Sequence, residues 1–203
     1  MAKIFINYRT GDEKWGPELV DGQLVEVFGE GNVFRDRRAM RPGTDFPDRI
    51  RQEVESCVVF LSLIGPGWLD VRDADSGLRR IDMPKDYVHD EIATALALNK
   101  VVIPVLLDAE LPVAQQLPPA LVGLSNRQFQ PLREGYTHHD MRVLVDEIRE
   151  YVPAKKPEPQ QGTETASAVA SHAHIVRSAV GTNPVYNENA APRDWDGNGR
   201  RPA

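Results

Sequence analysis

Cys57-Val58-Val59-Phe60-Leu61-Ser62-Leu63-Ile64, closed by Gly65-Pro66-Gly67, is the stretch that decides the fold. Only Ser62 interrupts its apolar character. A run this short and this apolar suits a strand covered on both faces, as strands of parallel sheets are. The glycines and proline end it. Outward from this run, short apolar stretches alternate with amphipathic ones. Ile4 to Tyr8 reads as a first strand and Asn32 to Arg35 as a second. Between them, Leu19, Val20, Leu24, Val27 and Phe28 recur at helical spacing across Glu18 to Phe28. Phe46, Ile50 and Val54 stand four apart and predict a helix over Phe46 to Ser56. A helix over Tyr87 to Leu98 precedes a strand at Val101 to Leu107. Arg127 to Pro131 reads as an edge strand and Asp140 to Tyr151 as the last helix.

Strand–helix alternation around buried strands means an α/β protein with a parallel sheet and helices on both faces. Five strands within residues 1–152 predict a flavodoxin-like order, 2-1-3-4-5. Ligands of that fold bind beyond the carboxyl ends of the strands, beside strand 1. The segments to read for function are therefore Asn7 to Thr10, Arg35 to Gly43, Gly65 to Trp68 and the approach to Tyr87.

Residues 153–203 have a different character. They begin Pro153-Ala154-Lys155-Lys156-Pro157-Glu158-Pro159 and are poor in large apolar side chains. Such a composition cannot offset its ordering entropy, so this segment reads as a linker and a mostly disordered tail. The whole chain carries 24 basic and 30 acidic residues, a net charge of −6. That balance argues against non-specific nucleic-acid binding. Cys57 is the only cysteine, which excludes an internal disulfide and a multi-cysteine metal site, and its apolar setting favours a buried thiol over a nucleophile. No apolar leader core follows Met1 and no stretch is long enough to span a membrane, so a soluble, cytoplasmic protein is expected.

The expected ligand end of the sheet lacks several familiar devices. There is no P-loop, no Gly-x-Gly-x-x-Gly after strand 1, no acidic cluster of a phospho-receiver and no Gly-x-Ser-x-Gly elbow. What it offers is Tyr8 and Arg9 leaving strand 1. Arginine suits phosphate, and tyrosine can stack on a base or bond a ribose. From spacing alone, Arg9 is equally a solvated surface charge. Asp36, Arg37, Arg38 and Arg41 crowd the loop after strand 2 and Pro42-Gly43 turns it, a pattern also shown by ordinary solvated loops. Tyr87 and Glu91 share a helix face, with Glu91 at the border of the packing stripe Ile92, Ala95, Leu98. A border carboxylate is salt-bridged, wet or catalytic, and periodicity does not choose. His89 is expected to be exposed, and Trp68 to pack at a rim.

These residues carry a resemblance. Lys3-Ile4-Phe5-Ile6-Asn7-Tyr8-Arg9 resembles the first conserved box of TIR domains, with Asn7 where serine is usual and Thr10 where a second arginine often stands. Val33-Phe34-Arg35-Asp36 with Arg41-Pro42-Gly43 resembles the second box and its loop. The run 57–68 looks like the third strand of bacterial members. Asp86-Tyr87-Val88-His89-Asp90-Glu91-Ile92, with Val101 to Leu106, is similar to the helix and strand of the NAD-cleaving ones. The resemblance implies an NAD glycohydrolase or cyclase with Glu91 as the catalytic carboxylate. It implies nucleotide contacts from Tyr8, Arg9, Phe34, Asp36, Gly43 and Tyr87. NAD would be the substrate, with no metal or other cofactor. It further implies TIR–TIR self-association, a separate effector or sensor protein as a possible partner, and a role in prokaryotic antiviral defence or signalling. The alternative is a non-catalytic TIR–TIR assembly module, in which the loop Asp36 to Asp45 would be the contact surface. A nucleoside deoxyribosyltransferase, which also uses a glutamate, is disfavoured by the first box.

Overall fold

The computed structural model describes residues 3–12, 14–35, 46–83 and 86–155, with side chains of the helix at 46–56 described from Ile50 onward. Five strands lie in chain order: β1 (Ile4–Asn7), β2 (Val33–Arg35), β3 (Val59–Ile64), β4 (Val101–Leu107) and β5 (Gln130–Leu132). They form one sheet in the order β2-β1-β3-β4-β5, every neighbouring pair parallel, as the sequence pattern predicted. The helices are α1 (Trp15–Phe28), α2 (Phe46–Ser56), α3 (Tyr87–Ala97) and α4 (Thr137–Arg149).

Side-chain alternation divides each strand between two cores. Phe5, Phe34 and Phe60 point to the α2/α3 side, where they meet Ile50, Val54, Ile92 and Ala95. The Phe5 ring stacks on Phe34 at 5.1 Å and on Phe60 at 5.2 Å between centroids. Ile4, Ile6, Val59, Leu61 and Leu63 point to the opposite side, against Leu24 and Phe28 of α1 and Leu144 and Ile148 of α4. Full burial of each such side chain contributes about 1.5–3 kcal/mol before entropy is counted.

Several boundaries differ from the sequence reading: α1 starts at Trp15 and not at Glu18, and three others differ for a local reason. β3 begins at Val59, because the Cys57 N–H still closes the last turn of α2 onto the Glu53 carbonyl. β5 is later and shorter than expected, because Pro119–Asn126 coils as 3-10 turns and Arg127 N–H bonds back to the Leu124 carbonyl. α4 starts three residues early, at Thr137, on polar residues that carry no apolar period. The chain is held through its last described residue: Val152 is buried and the Lys155 N–H donates to the Val27 carbonyl at the end of α1. From residue 156 onward, the expected tail lies outside the described residues.

Two buried ionisable groups report on this packing. Burial pushes the Cys57 thiol up to about 11, in keeping with an inert structural thiol. Asp140, in the first turn of α4, accepts from Arg133 through its backbone N–H (3.0 Å), Nε (2.9 Å) and NH2 (2.7 Å). These bonds from Arg133 hold the Asp140 carboxyl below the usual carboxylate range and tie β5 to α4. A depressed carboxylate stabilises the fold above its unfolded pKa, and that stability is lost as pH falls through the folded pKa. Asp140→Asn is therefore expected to melt several degrees below the parent at pH 7. The gap should close progressively below about pH 4, where the parent carboxylate is itself protonated. Thermal melts of both proteins across pH 3–7 check this.

Candidate active site

The alternation that builds the two cores also sorts the segment leaving β1. Phe5, Asn7 and Arg9 face α3, whereas Ile4, Ile6 and Tyr8 face α1. Asn7 is 1 % exposed, and its Nδ2 donates to Glu91 Oε2 at 2.7 Å. This bond joins the carboxyl end of β1 to the middle of α3, so the border carboxylate and the expected ligand end of the sheet meet. The register pairs Asn7 with Ser62 on β3, and the Ser62 hydroxyl reaches Asn7 Oδ1 at 3.4 Å. A short polar chain, Ser62 to Asn7 to Glu91, thus links β3, β1 and α3. The lone polar residue in the apolar run of β3 lies directly beneath the site.

Arg9 continues the same face and is buried. Its NH1 and NH2 donate to Asp86 Oδ2 and Oδ1 at 3.0 and 2.7 Å, in a bidentate pair whose side chains are 1 % and 2 % exposed. Asp86 is also the N-cap of α3, accepting the His89 N–H at 3.0 Å. One carboxylate therefore caps the helix that carries Glu91 and fixes it to β1. The Arg9 guanidinium also lies 5.9 Å from the ring centre of Trp68, which is fully buried rather than at a rim. His89 is half-buried, not exposed: its Nδ1 lies 2.7 Å from the Ile81 carbonyl.

Glu91 and Tyr87 border two adjoining hollows. The smaller, about 80 Å³, is lined by Tyr8, Arg9, Thr10, Arg80, Tyr87 and Glu91 among others. The larger, about 390 Å³, runs between α2 and α3 past Ile50, Arg51, Asp90 and Thr94. The structure thus brings together Tyr8, Arg9, Tyr87 and Glu91 of the sequence-predicted site. Tyr87 is nearly half exposed at the mouth. Tyr8 reaches the smaller hollow while its ring packs on the α1 side, with the Arg35 guanidinium 5.9 Å above it. Arg9 borders the hollow, but both its terminal nitrogens are engaged by Asp86, so it braces the site instead of reaching for phosphate. Phe34 is 6 % exposed in the ring stack and does not line either hollow. Asp36 and Gly43 lie outside the described residues, as does the loop 36–45.

Three residues of the site carried no assigned role in the sequence reading. Asn7 stood only as a departure from the family's serine. Asp86, three residues before His89 at a helix start, had the signature of a cap. Arg80 comes from the excursion between β3 and α3, a region without apolar period. There Arg72 and Arg79 form a bridge, and a 3-10 turn follows at Arg80–Asp82. Among the described residues no cluster of His, Cys, Asp or Glu suits a metal ion, and no helix is long and apolar enough to cross a membrane.

The fold agrees with comparisons to known proteins. The TIR domains of the activated Roq1 resistosome, which directly recognises the pathogen effector XopQ, superpose with a TM-score of 0.55 at 13 % identity, covering 73 % of this chain and 99 % of that one. The TIR domain of the Toll-related receptor TRR-2 from Hydra magnipapillata gives 0.51 at 16 % identity, over 73 % of this chain and 99 % of its own. At these identities the likeness is one of fold. The family model for the TIR domain matches residues 4–145, well over half of the sequence and all five strands. The chain belongs to the TIR domain family.

Proposed function

We propose that the Glu91 cleft cleaves the bond between nicotinamide and ribose in NAD. The observation that carries this reading is the 2.7 Å bond from Asn7 Nδ2 to Glu91 Oε2, which fixes a carboxylate at the carboxyl end of the sheet beside Tyr87. The nicotinamide nitrogen is cationic in NAD and leaves as a neutral ring, taking the electron pair of the breaking bond. No general acid is needed. The ribose carbon develops oxocarbenium character, as in glycoside hydrolysis. A single carboxylate held in place stabilises that positive charge or holds the ribose hydroxyls. Water then adds to the carbon and releases a proton, giving ADP-ribose. Attack by an adenine nitrogen instead gives a cyclic product.

Self-association belongs to the same reading. Both hollows are open and Tyr87 stands half exposed at their junction, so the surface of a second copy would shield the cleft from water. NAD consumption of this kind would suit a defence or signalling role. Nicotinamide release by the purified full chain tests the proposal. Release that is absent under every condition of assembly would leave the chain as a non-catalytic assembly module.

Asn7 is a positioning residue in this account. Asn7→Ala is expected to lower kcat for nicotinamide release about tenfold, the worth of one hydrogen bond to a charged group, with little change in KM. Steady-state kinetics check this. An equal loss confined to KM would show that Asn7 contacts substrate instead of orienting Glu91.

A further inference from the structure

We propose that Arg80 holds a phosphate of the substrate in the Glu91 cleft. This rests on the reading that Glu91 cleaves a nicotinamide nucleotide, and it names the group that anchors the rest of that molecule. Arg9, Thr10 and Arg80 all line the smaller hollow with Glu91. Arg9 is spent on Asp86, and Thr10 has no charge. Arg80 is the remaining cation of that lining, with a side chain 40 % exposed.

The surroundings of Arg80 fix its backbone and leave its fork available. Its N–H donates to the Val71 carbonyl at 2.9 Å and its carbonyl accepts from Met83 N–H at 3.0 Å. Ile81 is buried beneath it, and the Ile81 carbonyl holds the His89 ring. Among the described residues the Arg80 guanidinium has one ion-pair contact, Asp86 Oδ2 at 3.5 Å from Nε, and it also acts through charge alone on the exposed Asp73. That oxygen already accepts from Arg9 NH1 at 3.0 Å. Two guanidinium groups thus share one carboxylate, and the outer one is held only by charge. Arg79 next to it is the contrast: its Nε and NH2 bond Asp82 at 2.7 and 2.9 Å, and NH2 also reaches the Gln116 carbonyl. A planar fork held at its base and weakly paired at its tip matches a phosphate's oxygens. The net charge of the chain is −6, so a poised cation at the cleft mouth also offsets repulsion of an anionic substrate.

The test compares two substrates with the same scissile bond, NAD and nicotinamide riboside, which lacks phosphate. With the full chain, Arg80→Ala is expected to lose about 10- to 100-fold in kcat/KM on NAD, mostly through KM. Its loss on nicotinamide riboside should be at least about tenfold smaller. Arg80→Lys should recover part of the loss, and Arg79→Ala should leave the preference for NAD in place. Equal losses on both substrates, or none on NAD, would overturn the assignment of Arg80 while leaving Glu91 untouched. A parent protein that releases nicotinamide from neither substrate would remove the underlying reading and this one with it.

Discussion

Asp86→Ala is expected to lower the unfolding free energy by about 3–5 kcal/mol, the cost of stripping the partner from a buried charge. Arg9 would be left inside the protein with no carboxylate, since both its terminal nitrogens bond Asp86 and its side chain is 1 % exposed. The lost cap at the His89 N–H adds about 1 kcal/mol. Small domains have about 5–15 kcal/mol in all, so the variant would sit near the edge of folding. Asp86→Asn keeps an oxygen for the cap and loses the charge, and is expected to fall between the two. The pairing itself is isolated by adding Arg9→Met. If the cost comes from an orphaned charge, the double variant is more stable than Asp86→Ala alone. Urea titrations of the four proteins decide it.

Glu91→Gln is expected to reduce nicotinamide release by about 10³-fold or more, equivalent to about 4 kcal/mol of transition-state stabilisation. Glutamine keeps the shape of the side chain and, through its carbonyl oxygen, can still accept from Asn7 Nδ2. The substitution therefore removes charge while preserving position. Its melting temperature should stay close to the parent's, because Glu91 lies at the border of the helix and makes no part of the buried Arg9–Asp86 pair. The complement of this variant is Asn7→Ala, which preserves charge and loosens position. The two together separate what the carboxylate does from where it is held.

Much of the fold was readable from apolar period alone. The run Cys57 to Ile64 marked a covered strand, which the structure starts at Val59, and helical spacing over Phe46 to Ser56 marked α2 at both ends. β5 was harder, because a three-residue edge strand, Gln130–Leu132, contains a proline and only one fully buried side chain. The site was legible in part. Glu91 and Tyr87 share a face by their spacing, but spacing within one helix says nothing of what stands opposite. That information lies in the parity of β1: Asn7 and Arg9 share the face of Phe5, and the register sets Ser62 beside Asn7. Parity also explains why Arg9 is a brace, because the face it shares is the one toward α3, whose N-cap Asp86 takes both its terminal nitrogens. Arg80 was beyond reach of any period. It depends on how the excursion after Ile64 folds back on itself, fixed by bonds that follow no helical or strand period, such as Arg80 N–H to the Val71 carbonyl and the Ile81 carbonyl with the His89 ring.

The central claim is that the carboxylate joined to β1 through Asn7 breaks the nicotinamide–ribose bond. It is tested most directly by mass spectrometry of a reaction containing NAD and the concentrated full-length chain, run beside Glu91→Gln. Nicotinamide is expected to appear in proportion to the parent protein, with ADP-ribose or its cyclic form alongside, and only background from the variant. Equal release from parent and variant, or none from the parent across the whole concentration range, would contradict it.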